Sequence, residues 1–313
     1  MNRVNVSFII VNYNNKDITL RCIESIKNKL PENEYEIVVV DNNSDDGSQQ
    51  IFSQLEKEKF NLKCVCNDKN YGFGKANNIG FRHTKGEYLY LLNNDARLET
   101  ENISKIVPRI FSQYHNVGIL ATKVRYPNGK LQPNTQKFTD LKVAILRLLK
   151  AGEIVRNNRV LLRVLKLFPL KLSFVDFYLR NLEKEREEEY VDWASGCSLI
   201  FKREVYEELN GFDENFFMYG EDEDICLRAR KKGYRVLFTP EIVVVHFVGA
   251  SGEKQKKDFL IKVKVESEFY FFKKNLPNSY KKLKMIYKFI SFLLTPFSSR
   301  FSVIRKAIKE IEI

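Results

Sequence analysis

VNVSFIIV at residues 4–11 and EYEIVVVD at residues 34–41 decide the fold. Both are near-continuous apolar, β-branched runs of strand length, the pattern of strands covered on both faces. Between them, Asp17 to Lys27 carries Ile18, Cys22, Ile23 and Ile26 at helical spacing. Outward from this unit the pattern repeats. SDDGSQQIFSQLEKE (44–58) opens on capping residues and continues as a helix. LKCVC (62–66) reads as a third strand, Gly74 to His83 as a helix, GEYLYLLNND (86–95) as a fourth strand and Asn102 to Tyr114 as a helix. This alternation predicts an α/β sheet of parallel strands with helices on both faces.

Beyond Asn116 the alternation weakens. VGILATKVRYPNG (117–129) predicts a strand and turn, and VDWASGCSLIFKREVYEEL (191–209) a strand followed by a helix. Glu221 to Lys232 predicts a helix stopped by Gly233, with YRVLF (234–238) and IVVVHF (242–247) as two further strands. Residues 141–182 read as a basic helical insertion, with Arg156, Arg159, Arg163 and Lys166 on one face and Leu161, Leu165 and Phe168 on another. From about Glu253 the chain is helical again, with a stripe of Leu283, Ile286, Tyr287, Ile290 and Leu294 opposite Lys281, Lys284 and Lys288. The expected organisation is a domain over 1–252, containing the insertion, and a basic amphipathic helical extension over 253–313. At 313 residues, with 44% hydrophobic and 13% aromatic content, the chain has ample material for a core, which excludes global disorder.

The formal charge of +12 is unevenly placed. Residues 141–182 hold +7 and residues 253–313 hold +9, leaving −4 for the rest. A nucleic-acid binder would place its basic excess on the main domain or one arm, so nucleic acid is not an expected partner. A mildly acidic body with two basic, apolar-rich segments suits an anionic membrane surface. Five scattered cysteines argue against a disulfide framework and for a reducing compartment. Cys64 and Cys66 share one face of a strand with no second Cys/His pair near, so core packing is expected for both. No signal peptide opens the sequence, and the apolar stretch Phe289 to Thr295 is too short to span a bilayer. The expectation is a cytoplasmic protein, peripheral on the inner face of the cell membrane.

Ligands of parallel sheets bind outside the carboxyl ends of the strands. Those ends here read Asn12-Tyr13-Asn14, Asp41 and Asn93-Asn94-Asp95. A single Asp there is an ordinary turn former or cap, but three polar ends on one edge suit nucleoside hydroxyls and a phosphate-bridging divalent cation. The loop NYGFGKANNIG (70–80) spaces its glycines G-x-G-x5-G, which is not the dinucleotide fingerprint. Glu221-Asp222-Glu223-Asp224 crowds four carboxylates at a helix start, where mutual repulsion raises at least one pKa and suits a general base. His246 ends an apolar strand before Gly249-Ala250-Ser251, which suits contact with metal or phosphate.

IIVNYNN, VVVDNNSDDGS, NYGFGKANNIG, LLNNDA, WASGCSLIFKRE and FFMYGEDEDICLRARKKGYRV stand in this order. Together they resemble bacterial family 2 glycosyltransferases, especially the rhamnosyltransferase-like branch, over residues 4–252. The resemblance implies a GT-A fold with a mixed, Rossmann-like sheet, a nucleotide-sugar donor, Mg2+ or Mn2+, and inverting single displacement. It implies a donor-binding set of Asn12, Tyr13, Asn14, Asp41, Asn43, Asp45, Asp46, Gly72, Phe73, Gly74, Asn77 and Asn94. Trp193, Ser195 and Gly196 fall toward the acceptor and sugar. Asp95 closes a D-x-D-like metal motif whose first carboxylate is replaced by Asn93, and His246 matches a residue that meets metal or diphosphate. Asp222, with Glu221 beside it, falls at the catalytic position.

The leading expectation is transfer of a sugar, with dTDP-rhamnose as donor, to a cell-envelope or lipid-linked glycan. A UDP-hexose donor on the same fold is the enzyme alternative. A non-catalytic nucleotide-sugar or glycan-binding protein is the alternative of another class, opposed by the intact Asp41, Asp95 and Asp222. A nucleotidyltransferase would need a Gly-rich basic phosphate loop where Asn12-Tyr13-Asn14 stands.

Overall fold

The computed structural model describes residues 5–58, 61–149, 186–247 and 257–311. In chain order the elements are β1 (Val6–Asn12), α1 (Lys16–Lys27), β2 (Tyr35–Asp41), α2 (Ser48–Lys57), β3 (Leu62–Cys66), α3 (Phe73–Phe81), β4 (Tyr88–Leu92), β5 (Ala96–Leu98), α4 (Ile103–Gln113), β6 (Val117–Arg125) and β7 (Thr135–Gln136). They continue as α5 (Leu141–Leu148), β8 (Glu189–Val191), β9 (Trp193–Ala194), β10 (Ser198–Lys202), α6 (Arg203–Glu208), α7 (Glu221–Lys231) and β11 (Arg235–His246). Three helices close the chain: α8 (Lys257–Asn275), α9 (Pro277–Leu294) and α10 (Ser299–Ile311).

Residues 5–137 and 186–247 belong to one compact unit, and residues 138–149 and 257–311 to a second. The first is built on a sheet of order β3-β2-β1-β4-β10-β6-β11-β5, with β8 also on β11. β1 to β4 run parallel, but β10 is inserted antiparallel between β4 and β6. The sheet is therefore mixed. Alternation along β1 shows why both faces are covered. Val6, Phe8 and Ile10 join a core with Cys22, Ile23 and Ile26 of α1 and Val107 and Ile110 of α4. Ile9 points the other way, and with Val38 and Val40 it meets Gly80 of α3. Phe8 stacks on Tyr90 at 4.8 Å and meets Tyr35 edge-on, and each such buried ring contributes roughly 1.5–3 kcal/mol.

The two sequence-predicted strands 234–238 and 242–247 are one. β11 runs unbroken from Arg235 to His246, with a register shift against β6 between Thr239 and Val243. Pro240 falls within the shift; it has no N–H for the ladder, so a bulge absorbs it. Cys66 also departs from expectation: β3 lies at the sheet edge, and while Cys64 packs partly against the core, Cys66 is exposed.

In the second unit, Asp140 caps α5 by accepting from Val143 N at 2.8 Å. α8, α9 and α10 pack on one another around Phe269, Phe272, Leu283, Tyr287, Phe301 and Ile304. Glu268 is largely enclosed there, accepts from the Tyr287 hydroxyl and lies 3.5 Å from Arg147; desolvation raises its carboxyl pKa. The predicted stripe of α9 faces inward: Leu283 and Tyr287 are buried, and Ile286, Ile290 and Leu294 are partly so. Of the predicted insertion, only its start at α5 lies within the described residues; Arg156, Arg159, Arg163 and Lys166 lie outside them, as does Gly249-Ala250-Ser251. Among the described residues, no helix is long and apolar enough to cross a membrane.

Candidate active site

Sheet topology gathers the polar residues on one edge. Asn12 and Asp41, which end β1 and β2, are direct register partners, and Asn93-Asn94-Asp95 follows β4. Because β10 runs antiparallel, with Ser198 opposite Leu92, its start brings Gly196 and Cys197 to that same edge. β5 pairs antiparallel with the end of β11, setting His246 opposite Ala96 and beside Asp95.

Asn12 and Asp41 form the buried floor. Asn12 Nδ2 donates to Asp41 Oδ2 at 2.7 Å and to Ser48 Oγ at 2.9 Å, while Thr19 Oγ1 donates to Asn12 Oδ1 at 2.6 Å. Asp41 further accepts from Ser44 N at 2.8 Å, Ser44 Oγ at 2.7 Å and Gln49 Nε2 at 3.0 Å. Buried polar groups need such partners, and here they tie the loops after β1 and β2 together. Above the floor, Tyr13 and Asn14 are half-buried and Asn43 and Asp45 exposed. Asn14 Oδ1 accepts from Asp45 N at 2.8 Å, and Asp46 Oδ2 from Lys16 N at 2.9 Å. Asn94 is buried and donates to Thr19 Oγ1 at 3.0 Å, linking β4 to the same floor. Ser44, Ser48, Thr19 and Gln49 escaped the sequence reading because nothing in their spacing marks them as partners of Asp41.

The glycine loop closes against the segment preceding α7. Gly72 has φ +81°, and a Cβ there would stand 1.9 Å from Phe217 O, so a side chain is excluded. Phe73 N donates to Phe217 O at 2.9 Å, Asn42 Nδ2 to Gly72 O at 3.0 Å, and Asn77 Nδ2 to Phe73 O at 2.9 Å. Gly74 and Glu221 are neighbours, since a Cβ on Gly74 would lie 3.6 Å from Glu221 Cβ. The Phe73 ring lies over Gly196, where an added Cβ would come within 2.9 Å of it.

The four carboxylates of α7 separate into distinct roles. Asp224 is fully buried and pairs with Arg228 at 2.7 Å, and that guanidinium also donates to Leu209 O and Gly211 O. Glu223 is buried. Glu221 is buried with Oε2 lacking a hydrogen-bond partner; burial, aided by the charge of Asp222, pushes its carboxyl up to about 8. Asp222 is the member that is partly exposed. Its Oδ2 accepts from Gly196 N at 3.1 Å and its Oδ1 from Glu223 N at 2.9 Å, which orients the carboxylate. Trp193 is buried and donates from Nε1 to Lys137 O at 2.9 Å, and Ser195 N donates to Asn134 O at 2.7 Å. Cys197 lies within the fields of Asp222 and Asp95 together; burial first, then both charges, push its thiol up to about 12.

His246 Nε2 lies 3.0 Å from Asp95 Oδ1, and Gln132 Nε2 lies 3.1 Å from His246 Nδ1. With the amide donating to Nδ1, the ring proton sits on Nε2 and points at Asp95. One imidazole nitrogen and one carboxylate oxygen suit Mn2+ or Mg2+ completed by water and diphosphate oxygens. Ligation through Nε2 would move the ring proton to Nδ1, which needs an acceptor. Gln132 Oε1 is buried without a hydrogen-bond partner, and turning the amide would offer it to Nδ1–H. The residues therefore fit a divalent cation. Among the described residues, no three His, Cys, Asp or Glu side chains converge as a complete cage. Gln132 was missed by sequence reading; it lies just past the turn at Asn128 and Gly129, beyond the stretch 117–129 read as strand and turn, where no motif marks it.

Residues 7–171, more than half the chain, match the family model described as glycosyl transferase family 2. The chain belongs to glycosyl transferase family 2. Residues 180–247 also match a model described as the N-terminal domain of galactosyltransferase. Rhamnosyltransferase WbbL of Escherichia coli is 22% identical over 249 residues, covering 77% of this chain and 83% of that protein. An N-acetylglucosaminyl-diphospho-decaprenol L-rhamnosyltransferase of Mycobacterium tuberculosis is 25% identical over 221 residues, covering 67% of this chain and 66% of that one. The chain spans only 25% of the uncharacterized protein y4gI of Sinorhizobium fredii, with 24% identity over 249 residues. Among solved structures, mannosyltransferase PcManGT from Pyrobaculum calidifontis, in complex with GDP-Man and Mn2+, superposes with a TM-score of 0.56 at 18% identity. That match covers 97% of this chain and 74% of the other. This family 2 glycosyltransferase thus has the GT-A fold, with a mixed α/β sheet and C-terminal helices α8 to α10.

Proposed function

We propose that the chain is a metal-dependent inverting glycosyltransferase that moves rhamnose from dTDP-rhamnose to a lipid-linked glycan at the inner face of the cell membrane. The observation that carries this reading is the bond from Gly196 N to Asp222 Oδ2. It fixes the one partly exposed carboxylate of α7 at the sheet edge that also holds Asp95 and His246. The loops at Tyr13, Asn14, Asn43, Asp45 and Asp46 offer the nucleoside polar contacts over the Asn12–Asp41 floor. Asn94, Gly72, Phe73, Gly74 and Asn77 bound the diphosphate and sugar, and Trp193, Ser195 and Gly196 border the acceptor side.

A divalent cation held by Asp95 and His246 would supply Lewis-acid stabilisation of the departing diphosphate. Asp222 takes the proton of the acceptor hydroxyl as that oxygen bonds to the anomeric carbon. The bond from that carbon to the diphosphate oxygen breaks in the same step, so configuration inverts. Glu221, neutral below its raised pKa, leaves Asp222 as the charged member of the pair.

A hexose donor is the second reading, supported by PcManGT with GDP-Man and by Staphylococcus aureus TarS, solved with UDP-GlcNAc and matching with a TM-score of 0.53 at 14% identity. A screen of nucleotide sugars for Mn2+-dependent hydrolysis tests both. Hydrolysis of dTDP-rhamnose alone supports the first, hydrolysis of a UDP- or GDP-hexose the second, and hydrolysis of none contradicts both.

A further inference from the structure

Helix α9 is apolar on two sides, one buried and one exposed. Leu283, Tyr287 and Ser291 are buried in the bundle. On the opposite side Met285, Phe289, Phe292 and Leu293 are exposed, followed by Phe297 in the 3-10 turn Thr295–Phe297. Phe289, Phe292 and Phe297 are 65%, 63% and 83% exposed, well over half of each residue's surface facing solvent. Single exposed apolar residues are ordinary, but five large ones within 13 residues form a patch that marks an interaction surface.

The charge around the patch narrows the partner. Lys281, Lys282 and Lys288 are exposed on the same side of the helix, and Arg305 of α10 lies 5.4 Å from the centre of the Phe292 ring. Between Pro277 and Leu294 there are four lysines and no acidic residue. A second copy meeting this helix would oppose lysine to lysine with no carboxylate of the helix to answer them. An interfacial helix, by contrast, buries its aromatic side about 5–10 Å into the acyl boundary while its lysines meet lipid phosphates. We propose that the Met285–Phe297 face of α9 and its following turn is a docking surface for an anionic lipid bilayer, lying in the interface and not crossing it. The face assigned differs from the sequence-predicted stripe, which is spent on the bundle. The inference rests on the proposed lipid-linked acceptor for its purpose, but its physical basis is separate from the catalytic residues.

The test is cosedimentation of the full chain with phosphatidylcholine vesicles, with and without phosphatidylglycerol. Wild type is expected to pellet with the anionic vesicles and to be released by salt. Lys281→Gln/Lys282→Gln/Lys288→Gln should weaken that binding by about 100-fold, because each lysine near an anionic surface changes partitioning about five-fold. Phe289→Ser/Phe292→Ser/Phe297→Ser should weaken it at least about ten-fold through lost apolar burial. All three substituted rings are exposed, and circular dichroism checks that the variants remain folded. Equal binding to neutral vesicles, binding unchanged by either triple variant, or a solution dimer that the phenylalanine variant dissolves would overturn the proposal. Nucleotide-sugar hydrolysis without lipid separates the two readings: its absence alongside lipid binding contradicts the transferase, and its presence without lipid binding contradicts the docking face.

Discussion

His246 Nε2 stands 3.0 Å from Asp95 Oδ1, joining the last residue of β11 to the residue just before β5. Phe247 N donates to Asp95 O at 2.8 Å, so backbone and side chain both lock this corner. In the proposed function this pair would supply two protein donors to the divalent cation.

Asp95→Ala should therefore abolish the Mn2+ dependence of nucleoside diphosphate binding. Calorimetry with and without Mn2+ reads this directly. The variant should bind the nucleotide weakly and equally under both conditions, whereas a retained Mn2+ effect would remove Asp95 from the metal.

The Gln132 side chain meets His246 at Nδ1, the ring nitrogen away from Asp95, so its effect should appear in metal affinity first. Gln132→Leu leaves Nδ1 without a partner, and Mn2+ affinity should fall about 10–100-fold. Gln132→Glu keeps an acceptor for Nδ1–H and should restore most of that loss. If both variants bind Mn2+ like wild type, the residue merely packs.

Much of this was legible beforehand. The runs at β1, β2 and β4 are apolar enough to announce buried strands, and their polar ends name Asn12, Asp41 and Asp95. The antiparallel insertion of β10 was not legible, because strand order depends on which edge is left open and not on local pattern. Without the family resemblance, local pattern does not rank the four acids of α7: burial of Glu221 and the Arg228 partner of Asp224 separate them, and burial is set by the tertiary fold. For α9, a lysine-rich helix with apolar residues on two sides offers periodicity two solutions, and packing chose Leu283 and Tyr287 for the inside.

Glu221 makes stability depend on pH. Burial, aided by the charge of Asp222, pushes its carboxyl from the ordinary 4.5 up to about 8, so the folded state holds its proton more tightly. The stability this contributes is complete below 4.5 and is lost as pH rises through 8. Glu221→Gln stays neutral, so its denaturation midpoint relative to wild type should climb between about pH 5 and about pH 9. A constant difference across that range would show that Glu221 is ionised throughout.

Gly72→Ala should cost about 2 kcal/mol or more, since the methyl meets the Phe217 carbonyl and the backbone is left-handed. Denaturant unfolding measures it. A loss below about 0.5 kcal/mol would mean that the loop rearranges freely.

The most direct test of the central claim is the transfer rate of Asp222→Asn, measured beside its donor affinity in Mn2+. A general base acts on the acceptor, so transfer should fall ~10²–10⁴-fold while nucleotide-sugar affinity stays at the wild-type value. Transfer near the wild-type rate, or a loss of rate matched by an equal loss of donor affinity, would contradict the assignment of Asp222 as the base.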